Sequence, residues 1–270
     1  MISFVVFLFG LAIGSFLSAV IYRLEKGESA LHGRSYCPHC KHLLAWYDLI
    51  PLLSFLFLKG RCRYCNQGIP LQDPFVELAT ALLFVALAWS VLPNLSVGVE
   101  NLISLSFPLS FPQVLELLYL WAVASGLLVV FVYDLKHYLI PDTIVYLAIG
   151  LVFLHHVLGN SEALLSLVLA GVGAAAFFLA IYLVSKGKWM GFGDVKLALL
   201  LGLFVGWPAI LVALFSAFCL GALVGVVLIA FKKKGLKSEV PFAPFLIVGT
   251  AIAFFFGSNI LNWYLGLILV

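Results

Sequence analysis

Long apolar runs separated by short polar breaks dominate the pattern of this chain. They extend from Ser3 to Tyr22, Val76 to Leu92, Val114 to Tyr133, Thr143 to Leu158, Leu164 to Val184, Val195 to Val205, Ala209 to Phe231 and Phe242 to Leu269. Most approach the roughly 20 residues that an α-helix needs to cross a hydrocarbon core. The run from Val195 to Val205 is too short alone, but Gly206, Trp207 and Pro208 break the stretch where a tight turn between two helices fits. The pattern predicts an all-α polytopic membrane protein with about eight transmembrane helices, the sixth being the shortest.

Composition agrees with the pattern. Hydrophobic residues make up 64% and charged residues 10% of the chain, and the mean hydropathy is +1.18. These values exclude a soluble globular domain. Lys and Arg then orient the spans, because cytoplasmic loops collect them and translocated loops do not. Seven lie between Arg23 and Arg63, and Lys136, Lys186, Lys188, Lys196, Lys232, Lys233, Lys234 and Lys237 supply the rest. With eight spans all of them fall on one side, and the opposite loops around Asn94 to Pro112, Gly159 to Glu162 and Gly206 to Pro208 hold none. Both termini are expected outside. The net charge of +3 reflects sidedness toward the lipid bilayer, and no nucleic-acid partner is expected. The first span lacks a basic segment before it and a small-residue cleavage site, so it reads as an anchor.

The one sizeable polar segment, residues 23–74, contains four of the five cysteines. Cys37 and Cys40 form one Cys-x-x-Cys pair, and Cys62 and Cys65 form another. Two such knuckles about 20 residues apart can close a tetrahedral thiolate site on Zn2+. Disulfides and a redox pair compete with this reading, but a reducing cytoplasm disfavours the first and two matched pairs exceed the needs of the second. Four thiolates leave no open position for water, so the zinc is expected to be structural. His39 reads as a surface residue. Leu49 to Leu58 is apolar but too short to cross, which suggests a segment lying at the membrane surface. Cys219 reads as a small buried hydrophobe.

Ionisable residues at membrane depth are costly and point to function. Asp134 ends the third run and Asp194 opens the sixth, so both reach the same membrane boundary at similar depth. Two carboxyl groups at one site can share a proton, one acting as base on water and the other as acid toward a carbonyl. Asp194 lies at a helix N-terminus, where charge is favoured, and Asp134 near a helix C-terminus, where it is not. On that ground Asp194 is the ionised partner. Lys136 works against the distinction. Singly, Asp194 could be only an N-cap, and Asp142 after Pro141 reads as one. Gly191 and Gly193 let backbone pass close to Asp194, either that of the protein's own turn or that of a bound extended peptide.

At these residues the chain resembles the bifunctional type IV prepilin leader peptidase and N-methyltransferase family, among the GxGD membrane aspartic proteases. The resemblance is carried by GSFLSAVIYRL from Gly14, both cysteine knuckles, WYDLIPLLSF from Trp46 and PFVELATALLF from Pro74. It continues through Asp134 with Ile140, Pro141 and Asp142, then Gly191, Gly193, Asp194 and Lys196, and ends at PFAPF from Pro241. It implies that Asp134 and Asp194 are catalytic aspartates that cut the basic leader from prepilins or pseudopilins at the cytoplasmic face of the bacterial inner membrane. It also implies methylation of the new N-terminal residue, usually Phe, from S-adenosylmethionine. Gly191, Gly193, Lys196 and Glu77 are then candidates for binding substrate, Glu77 through the amine. Residues 1–112 become a methyltransferase part holding the zinc loop, and 113–270 a six-span peptidase domain. The acids Glu25, Glu28, Asp48 and Asp73 are candidates for meeting the leader.

Two rival readings remain open. One is a peptidase that lacks methyltransferase activity. The other is a proton-coupled transporter, which would place acids near mid-span and repeat one half in the other. Neither mid-span acids nor such a repeat is found.

Overall fold

The computed structural model describes residues 2–29, 33–92, 110–159, 161–231 and 240–268. Nine α-helices occur among them: α1 (Ile2–Lys26), α2 (Leu53–Phe57), α3 (Gln72–Val91), α4 (Phe111–His137), α5 (Asp142–Gly159), α6 (Ser161–Ser185), α7 (Phe192–Val205), α8 (Ala209–Ala230) and α9 (Ala243–Ile268). No strand forms among the described residues beyond two isolated bridges, Tyr36 with Leu43 and Arg61 with Gly68. Helices satisfy their own backbone polar groups, which a bilayer cannot do for them. Seven of these helices are long and apolar enough to cross a membrane. The expected sixth span is α7, whose 14 residues make a rod of about 21 Å, short of the roughly 30 Å hydrocarbon core. Lys232, Lys233, Lys234 and Lys237, and most of the loop from Asn94 to Pro112, lie outside the described residues.

The chain divides into two compact units, Met1–Leu128 and Val129–Val270, with the division falling inside α4. In the first unit α1 packs along α3. Gly10 and Gly14 stand four apart on α1, the small-xxx-small spacing that lets two membrane helices approach closely. A Cβ on Gly10 would lie 2.6 Å from Ala81 Cα, and one on Gly14 would lie 2.6 Å from Glu77 Cα. The first part of α4 joins through Trp121, whose ring stacks on Phe84 with centroids 4.9 Å apart while its Nε1 donates to Phe84 O at 3.1 Å. Val6, Ala88, Leu92 and Leu117 close this core.

In the second unit α7 packs against α5, α6, α8 and α9. Leu197, Ala198 and Leu200 on it are fully buried. An apolar helix of this kind belongs in an interior, which accounts for its shortness. Its closest neighbour is α6: a Cβ on Gly202 would fall 2.6 Å from Gly171 Cα and 2.7 Å from Ala170 O. Similarly α9 meets α8 at Gly249, where a Cβ would run into Ala213 O. The α7 helix ends at Val205 and α8 begins at Ala209, so the turn lies where Gly206, Trp207 and Pro208 predict it.

Large apolar side chains such as Phe4, Leu8, Leu147, Leu169, Phe215 and Val226 are exposed, a surface that lipid solvates. Cys219 is exposed on α8 as well, which corrects the expectation of burial. In a membrane protein apolar character no longer implies an interior position, because lipid tails are as apolar as the core.

Gly202→Leu would force backbone apart on both sides of the contact with α6. We expect it to lower the thermal unfolding midpoint in detergent by an amount equivalent to about 1–3 kcal/mol. Gly150→Ala, where nothing stands within 4 Å of the new carbon, should be neutral or stabilising by up to about 1 kcal/mol.

Candidate active site

Asp134 sits in the last turn of α4 and Asp194 in the first turn of α7. They are only 5% and 8% exposed, and the Asp134 carboxylate is the charge that Asp194 faces. The second unit thus brings both acids into one buried site, at helix ends rather than at mid-span. Asp194 is the third residue of α7, and its carboxylate reaches back to the Gly191 backbone N–H at the N-cap. Such an acid satisfies a helix-start donor and interacts favourably with the helix dipole. Asp134 lies within reach of the backbone N–H of Ala243, the first residue of α9. Its Oδ2 is enclosed and has no hydrogen-bond partner. A helix N-terminus therefore serves each acid, and the contrast between them that chain position alone suggests is reduced.

The two glycines divide their roles. Gly193 faces Ile140, and a Cβ there would lie 3.0 Å from Ile140 Cβ. Gly191 is the extended N-cap, with φ −78° and ψ 155°. Lys196 forms an ion pair with Asp142 at the start of α5, and its ammonium lies 5.5 Å from the Tyr146 ring and 5.3 Å from that of Phe192. Thus Ile140 and Asp142, eight or fewer residues after Asp134 in the chain, hold the start of α7 in place. Residues near Asp134 and residues near Asp194 form one packed junction.

Sequence reasoning gave no role to Ala243. Its N–H is delivered to Asp134 because Pro241 and Pro244 flank the start of α9, and prolines are common where a helix begins. Phe242 anchors the same start against Phe218 and Phe178, with ring centroids 5.2 and 6.0 Å away. The prolines after a charged stretch were the available signal.

In the first unit the four sulfurs of Cys37, Cys40, Cys62 and Cys65 lie within 4.8 Å of one another. Cys37 Sγ and Cys65 Sγ are 3.8 Å apart, about the edge of a tetrahedron with roughly 2.3 Å metal–sulfur bonds. Both knuckles use the same turn. Lys41 N–H donates to Cys37 O and Asn66 N–H to Cys62 O, each at 2.9 Å, with Lys41 and Asn66 at φ 58° and 61°. The cluster can bind a metal ion. His39 is exposed. Asp48 braces the loop by accepting from Arg63 Nε at 2.8 Å, Tyr64 Oη at 3.1 Å and Ala45 N–H at 3.3 Å. Burial opposes its charge, but these donors hold its carboxyl below the usual carboxylate range. Glu28 accepts from Tyr36 Oη at 2.8 Å. The apolar segment between the knuckles folds as α2 and exposes Leu53, Leu56 and Phe57.

Glu77, the remaining candidate, is 7% exposed near the start of α3. Its Oε2 accepts from the Leu52 N–H at 2.8 Å. It belongs to the first unit, whereas Gly191, Gly193 and Lys196 gather with the aspartates in the second.

Comparison with known proteins follows this division. Residues 8–91 match the bacterial peptidase A24 N-terminal domain, and residues 121–226 match the type IV leader peptidase family. A Legionella pneumophila protein named prepilin leader peptidase/N-methyltransferase is 32% identical, over 97% of this chain and 94% of its own length. The chain belongs to the type IV leader peptidase family. Members of the same name from Aeromonas hydrophila and Bacillus subtilis are 34% and 31% identical, covering 96% and 97% of this chain and 92% and 97% of their own lengths. No solved structure matches the chain.

The ion pair at the junction invites a double-mutant cycle. Asp142 is 58% exposed and Lys196 14%, so we expect Lys196→Met and Asp142→Asn to couple by no more than about 1 kcal/mol in thermal unfolding. A larger coupling would show that the pair is a main fastening of α7 to α5.

Proposed function

We propose that this chain is a prepilin leader peptidase and N-methyltransferase. It removes the basic leader of type IV prepilins or pseudopilins and then methylates the new N-terminal amine from S-adenosylmethionine. The observation that carries the peptidase reading is the pair of buried acids, Asp134 and Asp194, facing each other in one unit. Two carboxyl groups so placed share one proton. The ionised one takes a proton from water as that water attacks the scissile carbonyl, while the protonated one hydrogen-bonds the carbonyl oxygen and then gives its proton to the leaving amine. The enclosed, unpartnered Oδ2 of Asp134 suits a hydrogen bond with that water or carbonyl. Gly191 offers a side-chain-free edge beside Asp194 for the extended leader junction, and Gly193 serves it indirectly by letting Ile140 pack on the start of α7. Lys196, committed to Asp142, acts by positioning α7.

The methyltransferase reading draws on the names of the relatives and assigns the transfer to the first unit, with Glu77 on the amine. Zn2+ is the metal that best suits four thiolates in a small loop, and its role there is structural. The protein is placed in the bacterial cytoplasmic membrane with both termini outside and the aspartates facing the cytoplasm, as the distribution of Lys and Arg favours. The substrate's apolar helix carries recognition. Of the acids available to attract a basic leader, Asp48 and Glu28 are engaged within the loop.

Intact-mass spectrometry of a prepilin incubated with the protein and S-adenosylmethionine in lipid should show loss of the leader and a gain of one methyl. Asp134→Asn and Asp194→Asn should each lower the cleavage rate by about 10²–10⁴-fold. Full cleavage by either variant would remove the dyad.

Elemental analysis should find one zinc per chain, lost in Cys37→Ser and Cys62→Ser. Chelation should make residues 33–74 sensitive to protease while the helices remain protected. A zinc-free protein with an equally resistant loop would sink the structural role.

A further inference from the structure

Resting on the reading that this chain methylates an amine, we propose that a cavity in the first unit binds the ammonium end of the methyl acceptor, with Glu77 and Ser18 as its polar anchors. The cavity has a volume of about 210 Å³ and lies among the C-terminal half of α1, the metal loop and the start of α3. Two side chains in its lining point to a missing ligand. Ser18 is 9% exposed, and its hydroxyl oxygen is enclosed with no hydrogen-bond partner. Such a group normally finds one. Glu77 carries a carboxylate whose neighbours among the described residues are neutral donors, the Leu52 N–H and the Ser15 hydroxyl. A buried carboxylate is stabilised far better by a cation that also donates hydrogen bonds.

Arg23 and Arg34 also line the cavity, and Arg23 spends one guanidinium nitrogen on Gly33 O at 2.9 Å. The chain itself prepares the Glu77 end. Leu52 holds φ 56°, a conformation uncommon for a leucine, and this turns its N–H onto the carboxylate. Gly14 lets α1 lie against the backbone of Glu77, which fixes where that side chain starts. The side chains of Tyr22, Phe55 and Leu58 supply apolar walls. A primary ammonium next to an apolar side chain fits this lining, and the N-terminal residue exposed by cleavage has that form.

The site also supplies a chemical step. An ammonium has no lone pair for attack. Glu77 accepts one proton from it, and the freed nitrogen lone pair forms the N–CH3 bond as the C–S bond of a sulfonium donor breaks. The sulfur leaves as a neutral thioether, keeping the bond pair. The product is a methylated ammonium, and Glu77 releases its proton to solvent.

The test compares wild type with Glu77→Gln, which keeps an oxygen for the Leu52 N–H but removes the charge, and Ser18→Leu, which fills the cavity. In lipid nanodiscs, a peptide with the mature free N-terminus should bind Glu77→Gln about tenfold or more weakly than wild type. Its N-acetylated form should bind both alike. Intact mass should show methylation slowed by about 10²-fold or more in Glu77→Gln and blocked in Ser18→Leu, with leader cleavage reporting that each variant is folded. Wild-type methylation by either variant would overturn the site. So would equal weakening of the acetylated peptide, or weakened binding of labelled S-adenosylmethionine in place of the peptide, which would move the sulfonium to Glu77. A wild-type protein that cleaves without methylating would overturn the transferase reading itself, whereas the free and acetylated peptides would still judge the cavity.

Discussion

Burying two carboxyl groups in a largely apolar helical unit carries a desolvation cost of several kcal/mol for each charge unless donors are brought to them, and the second unit is arranged around supplying those donors. Gly191 opens α7 with an N–H on Asp194, and Ala243 opens α9 with an N–H beside Asp134. Both are backbone groups at helix starts, where donors lack partners within the helix. A membrane interior offers few other polar groups, so helix ends are the economical source. This explains why the acids stand at helix termini, and why a short helix with its start at the site lies at the centre of the unit.

Holding those helix starts in place falls to small residues and a few specific contacts. The contact of Gly202 with Gly171 lets α7 lie on α6 at backbone distance, and Gly249 does the same for α9 on α8. Without a hydrophobic driving force between helices in lipid, such close approach supplies the packing energy. Ile140 against Gly193 and Asp142 with Lys196 then set α7 relative to the chain that follows Asp134. The first unit repeats the logic. Gly10 and Gly14 bring α1 onto α3, and that approach is what encloses Glu77 and Ser18 beside the cysteine loop.

Much of this was legible in the chain. Apolar runs located the helices because length and hydropathy are local properties, and the cysteine knuckles were plain because metal ligation demands fixed types at fixed spacing. Asp134 and Asp194 stood out because acids next to apolar runs are rare. Less legible were features made by distant pairs. Cys219 is exposed although its surroundings are apolar, since lipid and core are alike to an apolar side chain. Lys196 could be assigned to the neighbourhood of the site, but its engagement with Asp142 depends on how α5 meets α7. The service of Ala243 to Asp134 joins residues more than a hundred positions apart through a backbone group that has no identity in sequence.

The sequence by itself determined that this is a helical membrane protein, where its helices run, which four thiolates can hold a metal and which two acids flank its apolar runs. Each of these follows from residue type and local spacing. Only the tertiary structure decided that the two acids share one buried site served by two helix starts, that α7 is an interior helix, and that Glu77 and Ser18 line a common cavity. Those outcomes depend on which helix faces approach, and close approach is set by pairs of small residues whose partners cannot be read from either helix alone.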